Sequence, residues 1–170
     1  MKIDGGCHCG AIAYEAEVDP EKTSICHCTD CQQLTGTAFR VTVPAPESDY
    51  RITKGAPKVY IKTGASGAKR AQGFCGECGS HLYATSVGDG PKVYGIRAGT
   101  ARQREELVPK KQVWHRSALH WLPAFEGMTT VEGLFSALAG LVAGWWIIRL
   151  IAWPFRRWKE MRAASNVRRM

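Results

Sequence analysis

The sequence predicts a mostly β fold of twisted, largely antiparallel sheet with little helix, followed by one C-terminal hydrophobic α-helix. Three observations predict it. Apolar residues alternate with polar ones in short runs, the period of a half-buried strand. Gly and Pro separate these runs at close intervals. Near the end, residues 134–153 pass with a single charge, Arg149.

The strands come first. Ile12, Tyr14, Ala16 and Val18 alternate with Ala13, Glu15 and Glu17. Phe39, Val41 and Val43 repeat the pattern, as do Val59 with Ile61 and Leu82 with Ala84. Pro44, Pro46, Gly55, Pro57, Gly64, Gly67, Gly88, Gly90 and Pro91 read as the breaks between them. One short helix is expected from Asp30 to Thr35, with Thr29 as its cap, Gln32 three residues on, and Gly36 as its stop.

The chain has 170 residues and a formal charge of +8. That charge is unevenly spread. Residues 1–127 hold 16 Lys and Arg against 13 Asp and Glu, whereas residues 128–170 hold 7 against 2. The basic end is interrupted by aromatic and apolar residues, which argues against a nucleic-acid partner. The first ten residues carry no apolar run, so no secretory signal is read there. Seven cysteines without such a signal fit a reducing compartment, where thiols persist as metal ligands, and the cytoplasm is the expected location.

The cysteines fall in three clusters: Cys7-x-Cys9, Cys26-x-Cys28-x-x-Cys31 and Cys75-x-x-Cys78. Zinc takes four ligands in a tetrahedron, and thiolates one or two residues apart reach one ion from a single turn. Cys7, Cys9, Cys75 and Cys78 would make one closed site that stitches the N-terminus to a distant hairpin. Cys26, Cys28 and Cys31 would hold a second zinc with its fourth position left for water or a thiol, the pattern of a catalytic ion. Two other readings stand beside this one. Both ions would be structural if His8 or His27 completed the second site, and spacing alone does not assign the pairs.

These motifs carry a resemblance. The strings GGCHCGAIAYE at 5–15, CHCTDCQQLTG at 26–36 and FCGECGSHLY at 74–83 are similar to the three signatures of the glutathione-dependent formaldehyde-activating family, which includes the centromere protein V domain. QVWHRSALHWL at 112–122 resembles that family's closing Trp-containing segment. The resemblance covers residues 1–127 and implies a β-tent fold with two zinc ions. It implies a structural ion on Cys7, Cys9, Cys75 and Cys78, and a catalytic one on Cys26, Cys28 and Cys31. The implied reaction joins formaldehyde to the thiol of glutathione, as a carbon–sulfur lyase working in reverse. One departure stands out: GIRAGTARQREEL at 95–107 replaces the acidic stretch that family members often show there.

Lesser candidates read as structural. Arg40, Lys69 and Arg70 could meet the carboxylates of glutathione, but basic residues more often make a solvated face. His81, His115 and His120 read as packed or hydrogen-bonded histidines, and Trp114 and Trp121 as core.

The domain boundary is expected near Gly127, with residues 128–170 as a separate appendage. A helix over 134–153 would be about 30 Å long, close to the thickness of a bilayer's hydrocarbon core. Leu134, Leu138, Leu141, Trp145 and Ile148 form a bulky stripe, and Ser136, Ala139, Gly140, Ala143 and Gly144 a small-residue face suited to another helix. The tail therefore reads as a membrane-seeking helix, attaching the zinc domain on the cytoplasmic side or docking on a larger membrane protein complex. Two functions follow: a thiol-handling zinc enzyme brought to a membrane, or an accessory subunit that keeps zinc for stability. A helix buried in a soluble oligomer is the plainer alternative.

Overall fold

Among the described residues ten short strands and one short α-helix form, the strands where apolar and polar residues alternate. The computed structural model describes residues 1–64 and 66–122. The strands are β1 (Lys2–Gly6), β2 (Ala13–Glu17), β3 (Ser24–Cys26), β4 (Arg40–Pro46), β5 (Tyr50–Lys54), β6 (Lys58–Thr63), β7 (Lys69–Phe74), β8 (His81–Ser86), β9 (Val93–Arg97) and β10 (Lys111–Val113), with helix α1 (Thr29–Thr35) between β3 and β4. They form a three-stranded sheet in the order β1-β2-β5 and a seven-stranded sheet in the order β10-β3-β4-β9-β8-β7-β6. All pairings within these sheets are antiparallel except the three-residue parallel pair of β10 with β3. The mostly β expectation holds, and residues Met1–Leu122 form one unit. The boundary expected near Gly127 and the expected helix over 134–153 lie outside the described residues. Among the described residues no helix is long and apolar enough to cross a membrane.

The inward-facing members of the alternating runs build the core. Tyr14 and Ala16 are buried while Glu15 and Glu17 face water, and Val43, Ala45, Leu82 and Ile96 are sealed from solvent. Four tyrosines join the two sheets. Tyr14 and Tyr50 from the small sheet meet Tyr83 and Tyr94 from the large one, with Tyr50 stacked on Tyr94 at 4.6 Å and Tyr83 edge-on to both. Such pairs add about 0.5–1.5 kcal/mol each beyond their buried area. Tyr14 Oη also meets Thr100 Oγ1 at 2.9 Å. Burial pushes the phenol of Tyr14 up to about 12, so it stays neutral at physiological pH.

Four local expectations are corrected. Pro44 and Pro46 lie inside β4 rather than breaking it. β3 pairs with β4 only as far as Thr42, so beyond it β4 has β9 on one side and no strand on the other, where a missing N–H is tolerated. Helix α1 begins one residue early, and its cap is Cys28, whose sulfur accepts the Cys31 N–H at 3.4 Å. Gln32 does not reach back to a cap; its amide donates to the carbonyl oxygens of His27 and Ser117. Gly36 does end the helix, in the left-handed region that favours glycine. Trp114 and Trp121 are about half exposed rather than core, and Arg116 lies over the Trp114 ring. Val59 and Ile61 do lie in a strand, but β6 is a sheet edge, so both remain half exposed.

Backbone runs close to backbone at Gly5, which bridges to Ala101. A Cβ there would strike the carbonyl oxygen of Thr100 and the ring of Tyr14, and backbone cannot yield as a flexible side chain can. Gly5→Ala should therefore cost about 2 kcal/mol and lower the unfolding midpoint by on the order of 8 °C for a domain this size. Gly90→Ala, where added bulk meets nothing, should leave the midpoint unchanged. Thermal unfolding of the two variants at fixed metal content checks this.

Candidate functional site

Tight turns carry the first cysteine cluster. After β1 the chain doubles back: Gly10 N–H donates to the Cys7 carbonyl, and Cys7 N–H to that of Ile12, each at 3.1 Å. The turn between β7 and β8 repeats this design, with Gly79 N–H on the Cys75 carbonyl and Cys75 N–H on that of Ser80. Gly10 and Gly79 take left-handed conformations that let each turn close. His8 N–H donates to Ser80 Oγ and fastens one turn to the other.

Four sulfurs meet between them. Cys7 and Cys9 Sγ are 3.5 Å apart, Cys9 and Cys75 Sγ 3.8 Å, and all four ligand atoms lie within 4.8 Å of one another. Ligands about 2.3 Å from a central zinc stand about 3.8 Å apart in a tetrahedron, so this donor set fits the ion in number, kind and spacing. The thiols differ in acidity. The hydroxyl and N–H of Ser80 pull Cys78 down to about 5, so it ionises readily. The Ala11 backbone favours the Cys9 thiolate, but the neighbouring thiols of Cys7 and Cys78 outweigh it and push Cys9 up to about 12.

The second cluster sits where β3 runs into α1. Cys26 closes the strand, Cys28 caps the helix and Cys31 follows in its first turn; their ligand atoms also lie within 4.8 Å of one another. The Cys31 thiol draws Cys26 down to about 5, and the same contact pushes Cys31 up. All seven cysteines are free of disulfides. Neither His8 nor His27 belongs to either set. The His27 ring turns to Gln112, with Nε2 2.8 Å from Oε1, and packs edge-on against Phe39 and His115. Residues from β10 onward thus wall the second cluster: His27 N–H donates to the Val113 carbonyl, and Gln32 reaches that of Ser117.

A cleft of about 460 Å³ lies between the segment after α1 and the Cys78 turn, lined by Thr35, Thr37, Phe39, Arg40, His81 and Arg97 among others. Arg40 is no solvated surface residue: it is 6 % exposed, as is Arg97. Register places Arg40 directly opposite Cys26 on the neighbouring strand, and Arg97 opposite Thr42. Gln72 Oε1 joins them, accepting from Arg97 Nη2 at 2.8 Å and from Arg40 Nη1 at 3.4 Å. Nε and Nη2 of Arg40 and Nε of Arg97 are buried without a hydrogen-bond partner among the described residues. Burial and the neighbouring Arg40 charge lower Arg97 to about 9, which leaves it cationic at neutral pH. Burial, then Arg40 and Arg97, lower His81 too, so its imidazole is neutral there. Lys69 and Arg70 are exposed. Gln72 and Arg97 escaped sequence reasoning, and the one available signal was a polar residue among the small inward-facing residues of β7.

Comparison with known proteins follows this geometry. A solved structure of a Rhodobacter sphaeroides protein is 22 % identical, with a TM-score of 0.51 over 65 % of this chain and 99 % of that one, which shows a shared fold. The sequence model described as glutathione-dependent formaldehyde-activating enzyme matches residues 2–117, a span that contains both thiol clusters and the paired arginines. On that match the chain belongs to the glutathione-dependent formaldehyde-activating enzyme family.

Proposed function

We propose that the protein binds two zinc ions and handles adducts of a thiol such as glutathione with formaldehyde or a related small aldehyde, as a carbon–sulfur lyase. One observation carries this reading: the thiols divide into a set of four and a set of three, and only the second leaves a tetrahedral ion a place for a substrate. Cys7, Cys9, Cys75 and Cys78 would hold the structural ion, and Cys26, Cys28 and Cys31 the catalytic one. A zinc bound there supplies Lewis acidity that lowers the pKa of an incoming thiol. The chain's own residues do the rest. Arg40, opposite Cys26, favours negative charge beside the cluster, and β10 with Gln112 keeps His27 turned away from it. In the synthetic direction a carbon–sulfur bond forms between thiol and aldehyde carbon, and the thiol proton ends on the aldehyde oxygen. No oxidant or reductant is needed.

We further propose that residues 134–153 bring this domain to a membrane, with the zinc domain on the cytoplasmic side. The support is the uncharged run 134–148 and the small-residue face within it. A non-catalytic accessory role in a membrane protein complex is the competing reading, and it is favoured if thiol binding fails.

The two clusters should respond differently to mutation. Cys78→Ser removes a clip worth on the order of 10 kcal/mol of apparent folding free energy and should abolish the cooperative unfolding transition. Cys28→Ser should leave a folded protein with one metal equivalent instead of two, by elemental analysis and circular dichroism. Equal unfolding of both variants would remove the distinction between a structural and an open site. Calorimetry should detect binding of glutathione at millimolar concentration or below and none of S-methylglutathione, whose sulfur cannot ionise; equal binding of the two would place recognition away from the metal. Full-length protein should stay with membranes in high salt and alkaline carbonate and leave in detergent, whereas a chain ending at residue 127 should be soluble with both metals. Release by salt alone would mark the tail as an electrostatic patch.

A further inference from the structure

Two cations are buried beside the three-thiol cluster without an acid to balance them. Arg40 and Arg97 are each 6 % exposed, and neither makes an ion pair with a carboxylate among the described residues. Their bridging partner is neutral: Gln72, 2 % exposed, gives one oxygen to both. Among the described residues three of their donor nitrogens have no hydrogen-bond partner. A buried, unpaired charge is costly, and natural proteins pair it or put it to use. Thiols face this pair, since Arg40 stands opposite Cys26 in register.

We infer that Arg40 and Arg97, held together by Gln72, act as positioning residues that make the Cys26–Cys28–Cys31 site select an anionic fourth ligand over a neutral one. The inference rests on the thiol-handling reading and names its ligand class: a thiolate rather than a thiol or neutral water. Charge decides it. Three thiolates around a divalent ion leave one net negative charge, and two guanidiniums exceed it by one. An anionic fourth ligand closes that difference, and a neutral one leaves a cation uncompensated in a dry setting. Gln72 matters because a carboxylate in its place would cancel the excess from within the protein.

The test substitutes cobalt for the native metal in the full-length chain and follows sulfur-to-cobalt charge-transfer and ligand-field absorption. Three probes are titrated: azide as a small anion, imidazole as a neutral ligand, and glutathione. Wild-type protein should prefer azide to imidazole, and glutathione should add a fourth sulfur ligand. Gln72→Glu keeps the size and both hydrogen bonds, and it should lower the azide-to-imidazole preference by about tenfold or more while the absorption of the unliganded centre stays the same. An unchanged ratio in Gln72→Glu, or no preference in the wild type, overturns the inference even if glutathione binds. Failure of glutathione to bind, with the azide ratio still falling in Gln72→Glu, leaves the charge selection standing and removes the thiol reading. Should Gln72→Glu not fold, Arg97→Lys and Arg97→Met decide: lysine should retain the preference and methionine lose it, and equal ratios overturn the inference.

Discussion

Four sulfur atoms from two tight turns, with Cys9 and Cys75 separated by 66 residues, converge within 4.8 Å, and the fold is arranged around that convergence. Thiols packed so closely cannot all ionise without a cation among them, so the geometry suits a metal donor set. One turn belongs to the β1–β2 hairpin of the small sheet, the other to the β7–β8 hairpin of the large one. Bringing the turns together brings the sheets together. Tyr14, Tyr50, Tyr83 and Tyr94 then fill the space between them, and Gly5 must be bare so that β1 can reach Ala101.

The second cluster is built on different terms. Its three cysteines are neighbours in sequence and need no distant partner to gather, since a strand end, a cap and a first helical turn suffice. What distant segments supply is the surroundings: β4 and β9 deliver Arg40 and Arg97, β7 delivers Gln72, and β10 restrains His27. The second cluster is thus a local group of thiols inside a nonlocal electrostatic frame.

That contrast explains how much the sequence disclosed. Period-two alternation found β2, β4 and β8 because each buries one face, as Tyr14, Val43 and Leu82 show. It found the strand at Val59 and Ile61 but not their exposure, because alternation reports pleat and not which sheet position a strand occupies. Pro44 looked like a break because a proline's missing donor matters only where a second strand would need it, and strand order is invisible in a single chain. Cys28 was not recognised as a helix cap because sulfur is an uncommon one, and Thr29 beside it was the better prior. The three cysteine motifs were legible from spacing, but which of them share a cluster is decided only by the fold. The arginine pair was not, for Arg40, Gln72 and Arg97 come from three strands that only the folded sheet makes neighbours.

The one parallel pairing among the described residues, β10 with β3, joins Lys111 to Ser24 and Val113 to Cys26, each 87 residues away in sequence. Contacts so far apart in sequence must close a long loop before they return any energy, which puts them at the slow end of the order expected from topology. On a ribosome the contrast sharpens. Cys26, Cys28 and Cys31 emerge together well before residues 111–117 exist to wall them. The four-thiol cluster cannot form until Cys78 has emerged. Assembly of the two clusters is thereby staggered along synthesis, with the three-thiol cluster exposed first and enclosed last.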